Sequence, residues 1–308
     1  MTDPNNCGTC GHQCEGGDCK DGICQPTLFW QAGDAAAFTR GITIAESSVA
    51  WGAILTAGSP STGVFSLPQT AAPLSVAMKH SDIVGVRLAY STPWILWTNG
   101  TLHGAALTET DETTFGSGQC SSALAVGPQS SVFCVAQEGP ATSDIWRYTS
   151  PYSKPATLWQ TGLSTVTDIA IVGDSLFFGT ASGLYRVSAA APMGVPELVA
   201  DDAVLREIEP FGGDLYFGGG GYLRRHNPEM ASTDIVVTTP LEAKAIHVDA
   251  NHIYVSESNV SVLRRYDHAG NAAGVWTLDS SDPHVMAGTT EYLFYTTYEL
   301  GQVYRLVK

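Results

Sequence analysis

Residues 174–188 read DSLFFGTASGLYRVS, and this stretch contains the unit from which most of the chain is built. A polar residue comes first, then an alternation of aliphatic and aromatic residues, a short turn, and a second strand that contains Arg186. Alternation with a period of two places successive side chains on opposite faces of an extended strand. The stretch therefore predicts a pair of antiparallel strands.

The same unit recurs from about residue 38 to the end of the chain. The clear copies are DLYFGGGGYLRRHN (214–227), HIYVSESNVSVLRRYD (252–267) and YLFYTTYELGQVYRLV (292–307). The weaker copies are SVAWGAILTAGSPSTGVFSLP (48–68), WILWTNGTLHGAAL (94–107) and SVFCVAQEGPATSDIWRYT (131–149). The first aliphatic residue of each copy is its anchor, and the seven anchors are Val49, Ile95, Val132, Leu176, Leu215, Ile253 and Leu293. They lie 37 to 46 residues apart, which is the period of β-propeller blades.

Each unit also has one strand before its anchor and one after its arginine. Inner strands are TDIAIV (167–172), EIEPF (207–211), AIHVD (245–249) and HVMAG (284–288), and outer strands include TLWQTG (157–162) and VWTLD (275–279). No convincing amphipathic helix is found. The sequence therefore predicts an all-β fold, a seven-bladed β-propeller of four-stranded blades that spans residues 26–308.

The amino-terminal strand is predicted to close the ring. The segment TLFWQAG (27–33) nearly copies the outer strand TLWQTG (157–162), although no blade precedes it. The last unit, in turn, stops after its third strand. We therefore expect residues 27–32 to pair with residues 302–307 as the outermost strand of the last blade, which removes an open seam.

Several propeller families resemble this pattern. The run ILWTN (95–99), followed by GTL, and the repeated third-strand arginine resemble the YWTD repeats of lipoprotein-receptor propellers, and propellers of the NHL and virginiamycin-lyase types are similar in period. The resemblance implies membership of a superfamily of propellers. Because one fold serves many functions, it does not name an activity.

Seven cysteines are present, and five of them fall in the first 25 residues, which we treat as a separate cysteine-rich segment (1–25). This segment has almost no apolar residues, so it needs disulfides or a metal to order it. Zinc is the alternative, because Cys7 and Cys10 have the CxxC spacing. Disulfides are the prediction: two among Cys7, Cys10, Cys14, Cys19 and Cys24, with Cys7 the one expected to be left over, and a third between Cys120 and Cys134.

The run DPNNCGTCGHQCEGGDCKDGICQ (3–25) resembles a cysteine-rich module of exported myxobacterial proteins, and it is similar also to plant stigma-specific proteins. In that pattern a further cysteine commonly precedes the Asp-Pro-Asn-Asn stretch, so the resemblance implies a partner upstream. It implies export and carries no activity. Disulfides form in oxidising compartments, and we therefore predict a secreted or cell-surface protein, with a signal peptide that is absent from this sequence.

Composition limits the partners. The net charge of −15 argues against nucleic acid and anionic membranes, since like charges repel. No apolar run is long enough to span a bilayer. Charged residues make up only 15% of the chain, which is low for a globular protein and fits many short, buried strands.

Two sets of repeated side chains have both a structural and a functional interpretation. The third-strand arginines are Arg147, Arg186, Arg225, Arg265 and Arg305. They would form either a ring of anion-binding groups or, as we expect, packing contacts whose heads pair with a neighbouring blade. The tryptophans Trp30, Trp51, Trp97, Trp159 and Trp276 would serve either as platforms for sugars or, as we expect, as packing between blades.

A ligand site is predicted where the outer strand of one blade connects to the inner strand of the next. Seven inner strands begin at that mouth of the channel, so side chains far apart in sequence should converge there. The candidates are His80, Asp82, Asp202, Arg206, Asp282 and His284. Imidazole and carboxylate groups suit Ca²⁺ or another divalent cation, or acid–base work. The alternative is an acidic surface that keeps the protein soluble.

The leading function hypothesis is an extracellular binding or interaction module for a glycan or a protein. The alternative is a divalent-cation-dependent lyase or hydrolase that works at the channel mouth, and a purely structural scaffold is the third interpretation. No nucleophile elbow, HExxH motif, P-loop or EF-hand loop occurs, which favours binding over catalysis.

Overall fold

The structure is a computed structural model, and it describes residues 3–8, 12–32, 38–54, 62–81, 87–152, 155–201, 204–219, 221–238, 243–257, 260–278, 283–297 and 300–308. Within these ranges, the side chains of residues 116–118, 204–206 and 219 are not described. Strands dominate the described part, where one turn of 3-10 helix (Pro128–Ser130) interrupts them. No helix found there is long and apolar enough to cross a membrane.

Seven four-stranded antiparallel sheets form the blades, and a two-stranded hairpin precedes them. The hairpin consists of β1 (Cys19–Lys20) and β2 (Ile23–Cys24), and β3 (Thr27–Gln31) follows it. Blade 1 contains β4 (Phe38–Ala45), β5 (Ser48–Ile54), β6 (Gly63–Pro68) and β7 (Met78–Ser81). Blade 2 contains β8 (Leu88–Ser91), β9 (Trp94–Thr98), β10 (Gly100–Ala106) and β11 (Thr113–Cys120).

The remaining blades follow the same order from the inner strand outward. Blade 3 contains β12 (Leu124–Val126), β13 (Val132–Gln137), β14 (Thr142–Tyr148) and β15 (Thr157–Ser164). Blade 4 contains β16 (Val166–Val172), β17 (Ser175–Thr180), β18 (Gly183–Ser188) and β19 (Glu197–Ala200). Blade 5 contains β20 (Val204–Phe211), β21 (Asp214–Gly219), β22 (Tyr222–Asn227) and β23 (Ser232–Val237). Blade 6 contains β24 (Ala243–Val248), β25 (Ile253–Glu257), β26 (Val262–Tyr266) and β27 (Ala272–Thr277), and blade 7 contains β28 (Pro283–Gly288), β29 (Tyr292–Thr297) and β30 (Gln302–Val307).

The predicted fold is confirmed, and so is the closure of the ring. All seven anchors lie on second strands. Strand β3 pairs antiparallel with β30, with Leu28 opposite Tyr304 and Trp30 opposite Val303, and it completes blade 7. A register shift between Leu28 and Trp30 matches a shift in β15, the strand whose sequence it copies. The copied sequence therefore carries the same local geometry.

The core lies between adjacent blades. Trp30, Trp51, Phe65 and Phe294 form one such layer, which joins the last blade to the first. All five tryptophans that we expected to pack are buried, so the packing interpretation is confirmed for them. Glycine is required where third strands begin: Gly63 and Gly183 have φ of 153° and 150°, and a Cβ at either would collide with a carbonyl of the outer strand.

The repeated arginines also serve packing, but mostly within their own blade. Arg147 lies over the rings of Phe133 and Trp159, and Arg186 binds Glu197 at 2.6 Å. Arg305 is the exception, because it donates to the carbonyl of Gln69 in blade 1 at 2.9 Å. The expectation that the heads pair with a neighbouring blade is therefore correct for Arg305 and wrong for Arg147 and Arg186.

Three disulfides are present, and they correct one prediction. Cys7 pairs with Cys19, and Cys14 pairs with Cys24. Cys7 is therefore not the cysteine left over, while Cys10 lies outside the described residues. The expected bond between Cys120 and Cys134 is present and joins the outer strand of blade 2 to the second strand of blade 3.

Candidate functional site

A cavity of about 370 Å³ occupies the central channel, and inner strands of all seven blades contribute to its lining. Its charged residues are Arg87, Asp168, Glu207, Glu209 and His247. Arg87, Asp168 and Glu207 occupy equivalent positions in their blades. Each directly precedes an inner-strand residue that pairs with an aromatic residue of the second strand; the pairs are Leu88–Trp97, Ile169–Phe178 and Ile208–Phe217. A common register at a shared axis brings together residues from blades 2, 4 and 5.

Asp168 and Glu207 each bind the next blade. The Ile208 amide donates to Asp168 Oδ2 at 2.8 Å, and the Ile246 amide donates to Glu207 Oε2 at 3.0 Å. These amides lie on inner strands, whose channel-facing edge has no strand partner, and a buried unpaired N–H is costly. The two carboxylates therefore satisfy edge amides and hold blades 4, 5 and 6 together.

The environment of the channel raises the pKa of both Asp168 and Glu207. Burial raises the pKa of Asp168, which is 8% exposed, and the Arg87 guanidinium opposes that rise. Burial also raises the pKa of Glu207 to about 8; the charges of Asp168 and Glu209 add to the rise, and Arg87 opposes it. Near neutral pH, therefore, Glu207 holds a proton that an exposed glutamate would release.

A second polar group lies further along the inner strands. Glu209 binds His247 Nδ1 at 3.1 Å, and Lys308 Nζ lies 3.3 Å from His247 Nε2 and 2.7 Å from Asp249 Oδ2. Lys308 has no acceptor of its own, so it donates to His247, whose other nitrogen then donates to Glu209. Burial lowers the pKa of Lys308, and the bond to Asp249 opposes this. Both nitrogens of His247 are thus engaged within the protein.

The position of His80 corrects part of the predicted site. His80 lies on β7, the outermost strand of blade 1, and is buried, whereas we expected it in the connection at the channel mouth. Its Nδ1 donates to the Glu109 carbonyl at 2.6 Å, and the Ser66 hydroxyl donates to its Nε2 at 2.8 Å. Burial lowers the pKa of His80, although the bond to Glu109 acts in the other direction. The ring therefore ties blade 1 to a loop of blade 2 rather than facing the channel.

The other predicted residues are only partly described. His284 lies on β28, an inner strand, and is half-buried. Arg206 belongs to β20, but its side chain is outside the described part, and Asp82, Asp202 and Asp282 lie wholly outside it. Their convergence and their role in ligand binding stay predictions.

The charged residues of the channel were missed, although the sequence contained a signal for two of them. The inner strands TDIAIV and EIEPF each carry a carboxylate, Asp168 and Glu207, eight residues before the anchor. A carboxylate in an otherwise apolar inner strand is expensive unless it has a partner. The recurrence of a carboxylate at one position of two inner strands therefore indicated that it has a polar partner. Acidic residues in connections can stay in solvent at no such cost, so they were the weaker signal.

Comparison with known proteins identifies the fold. No protein-family model matches the chain, and no curated protein matches it. Among solved structures, it is similar to the extracellular domain of a putative hybrid two-component system from B. thetaiotaomicron, with a TM-score of 0.69 and 14% identity over 91% of this chain and 39% of that one. It is also similar to the WD40 β-propeller domain of Doa1, with a TM-score of 0.68 and 13% identity over 92% of this chain and 97% of that one.

BamB from Moraxella catarrhalis is a further structural neighbour, with a TM-score of 0.57 and 14% identity over 91% of this chain and 85% of that one. Identities of 13% and 14% establish a shared fold and nothing finer. The resemblance to YWTD, NHL and virginiamycin-lyase propellers, and that of the cysteine-rich segment to exported modules, stay predictions. The chain is a seven-bladed β-propeller in which strand β3, amino-terminal to all seven blades, closes the ring.

Proposed function

We propose that this chain is a binding module that works outside the cell and takes its ligand, a glycan or a protein, at the end of the channel where the inner strands begin. One observation carries the proposal: Arg87, directly before β8, and Asp168 and Glu207, on β16 and β20, share a register and line one polar cavity. Rigid strands hold these groups in fixed positions, so a ligand need not order them on binding. A large propeller with a small charged cavity at its axis suits recognition.

The location is supported by the cysteines. Three disulfides persist in an oxidising compartment and not in a reducing one. One structural neighbour is an extracellular domain by name, which is compatible with the same location for this chain.

A glycan and peptide array, probed with unreduced protein, tests the proposal. Arg87→Ala removes the arginine that lines the described part of the channel, and Arg186→Ala removes a matched arginine from an outer part of blade 4, where it binds Glu197. We expect Arg87→Ala to weaken binding about tenfold or more, the equivalent of one charged contact, and Arg186→Ala to leave it unchanged. Equal binding by both variants would place the ligand elsewhere.

A cation-dependent lyase or hydrolase is the second candidate. It is favoured by three acidic side chains, Asp168, Glu207 and Glu209, that share the channel with Arg87, because carboxyl groups that have lost their proton are the ligands that Ca²⁺ prefers; Glu207 would have to release its proton to the cation. The engaged nitrogens of His247 weigh against it, since a general base needs a free one. Thermal melts with Ca²⁺, Mg²⁺ and Mn²⁺ decide the matter. A shift in the wild type that Asp168→Asn with Glu207→Gln abolishes supports the candidate, and no shift with any cation removes it.

A further inference from the structure

A second cavity, of about 700 Å³, lies where the disulfide segment meets blades 6 and 7. Its lining includes residues 16–20 and 25 of the disulfide segment and residues 26–28, of which Thr27 and Leu28 belong to β3. The rest of the lining consists of Thr277 and Leu278, at the end of β27, together with Tyr295 and Tyr304 of blade 7. We call this cavity the segment groove. Its volume lies within the range of small-molecule sites, about 300–1,000 Å³.

Two tyrosines form the aromatic wall of the segment groove. The rings of Tyr295 and Tyr304 lie 5.1 Å apart at an angle of 10°, on paired residues of β29 and β30. Tyr295 is 1% exposed, whereas Tyr304 is half-buried. Tyr295 therefore backs the ring of Tyr304, whose remaining surface borders the cavity. Such a ring offers apolar area with a polar tip and loses little entropy on binding.

The stacked pair by itself belongs to the fold. Rings stack at the same register in blades 1, 2 and 4, in the pairs Trp51–Phe65, Trp97–His103 and Phe178–Tyr185. What distinguishes blade 7 is the disulfide segment, which lines a cavity together with this pair. Tyr185 thus holds the same register as Tyr304 and also stacks on a second-strand ring, but it is not part of the segment groove, so it provides a matched control.

Among the residues that the structure describes, the rest of the lining is polar and carries no net charge. Its charged residues are Asp18 and Lys20, both exposed and of opposite sign. Gln25 adds an amide, and Thr27 and Thr277 add hydroxyls. In a chain of net charge −15, a neutral lining beside an aromatic ring disfavours cations and anions alike. It suits a neutral ligand that has both hydroxyl groups and apolar faces.

The disulfide segment and the blades that line the groove are held together in the absence of a ligand. The segment is closed by Cys7–Cys19 and Cys14–Cys24. It is fixed to the propeller by Trp276 Nε1, which donates to the Cys24 carbonyl at 2.8 Å, and by Arg305, which donates to the Glu15 carbonyl at 3.3 Å. A preformed groove reduces the entropy cost of binding.

We propose that the segment groove binds a neutral oligosaccharide, with Tyr304 against an apolar face of a sugar ring and the polar wall against its hydroxyls. The proposal shares with the proposed function only the premise that the chain is a binder, because the segment groove and the channel have no lining residue in common.

Titration calorimetry with cellotetraose, maltotetraose and chitotetraose tests this on the unreduced full chain. We expect at least one to bind. Tyr304→Ala should weaken that binding about tenfold or more, as expected for a lost aromatic contact. Tyr304→Phe should retain it, because the Tyr304 hydroxyl already donates to Gln302 at 3.1 Å. Tyr185→Ala should leave it unchanged, and Thr277→Trp should abolish it by filling the groove.

The contrary outcomes are distinct. Binding that survives Tyr304→Ala and Thr277→Trp but is lost in Arg87→Ala places the saccharide in the channel. This result overturns the assignment of saccharide binding to the segment groove and leaves the proposed function intact. An equal loss of saccharide affinity in Tyr304→Ala and Tyr185→Ala, with a lowered melting temperature in both, also overturns this assignment, because it shows that the substitutions act by destabilising the fold. If the wild type binds none of the three probes, the saccharide assignment is wrong. The proposed function is tested separately, by the glycan and peptide array with Arg87→Ala and Arg186→Ala.

Discussion

The indole nitrogen of Trp276 donates a hydrogen bond of 2.8 Å to the carbonyl oxygen of Cys24, and this bond joins blade 6 to the disulfide segment. The two residues are 252 positions apart in the chain. The side chain of Cys24 belongs to the same apolar cluster as Trp276 and Tyr295. The segment is therefore packed on the propeller and not attached only by its linker to β3.

Trp276→Phe should loosen the disulfide segment selectively. It keeps an aromatic ring but removes the bond to Cys24, which costs about 1 kcal/mol for a typical buried hydrogen bond. We expect faster cleavage within residues 3–26 in limited proteolysis under non-reducing conditions. Trp159→Phe is the control, since it removes a similar bond to the Ser188 carbonyl at 3.0 Å in a distant blade. Equal protection of the segment in both variants would contradict the anchoring role.

Arg305→Leu should destabilise the propeller far more than Arg186→Leu. Arg305 is 4% exposed and donates to the carbonyls of Gln69, Ala71 and Glu15. Three carbonyl oxygens in partly buried hydrogen bonds lose their donor, at a cost of roughly 2–4 kcal/mol. Arg186 holds the same register but has an exposed partner, Glu197, and such surface pairs contribute up to about 1 kcal/mol. Urea unfolding of the two variants measures the difference, and similar midpoints would refute it.

Glu207→Gln should stabilise the protein at alkaline pH. The pKa of Glu207 is raised to about 8 in the folded state from 4.5, so the folded state binds the proton more tightly than the unfolded state. For a carboxyl with a raised pKa, stability falls as the pH rises from about 4.5 to about 8. Glutamine keeps an acceptor for the Ile246 amide without titrating. The melting temperatures of the two proteins should coincide near pH 4 and separate by pH 8.5, with the variant higher.

Alkylation of the unreduced protein should modify one cysteine, and peptide mapping should identify it as Cys10. The three disulfides use six of the seven cysteines. After reduction, all seven should react. Modification of Cys7 in the unreduced protein would contradict its pairing with Cys19, and bound zinc in the purified protein would contradict the oxidised segment.

Much of the fold could be predicted because it repeats. A hairpin such as residues 174–188 reveals strands by alternation, and seven copies reveal seven blades. The closure by β3 could be predicted for the same reason, since TLFWQ copies the outer strand that begins at Thr157. Local sequence specifies a strand, and a repeated spacing specifies how strands group.

The candidate site could not be predicted in the same way. His80 was placed in a connection because it precedes Asp82 near a strand end, yet the strand continues through Ser81 and buries the ring against Ser66. Whether a polar residue near a strand end faces solvent or a partner depends on a neighbour from another blade. That neighbour, the Glu109 carbonyl, is 29 residues away.

The sequence by itself determined the number of blades, the order of the strands and the strand that closes the ring, because these follow from periodicity within one chain. Only the tertiary structure decided how the amino-terminal cysteines pair, which charged residues meet in the channel, and that the disulfide segment and Tyr304 line one groove. Each of these depends on the distance between residues far apart in sequence. Ring closure sets such distances, and periodicity within one chain does not contain them.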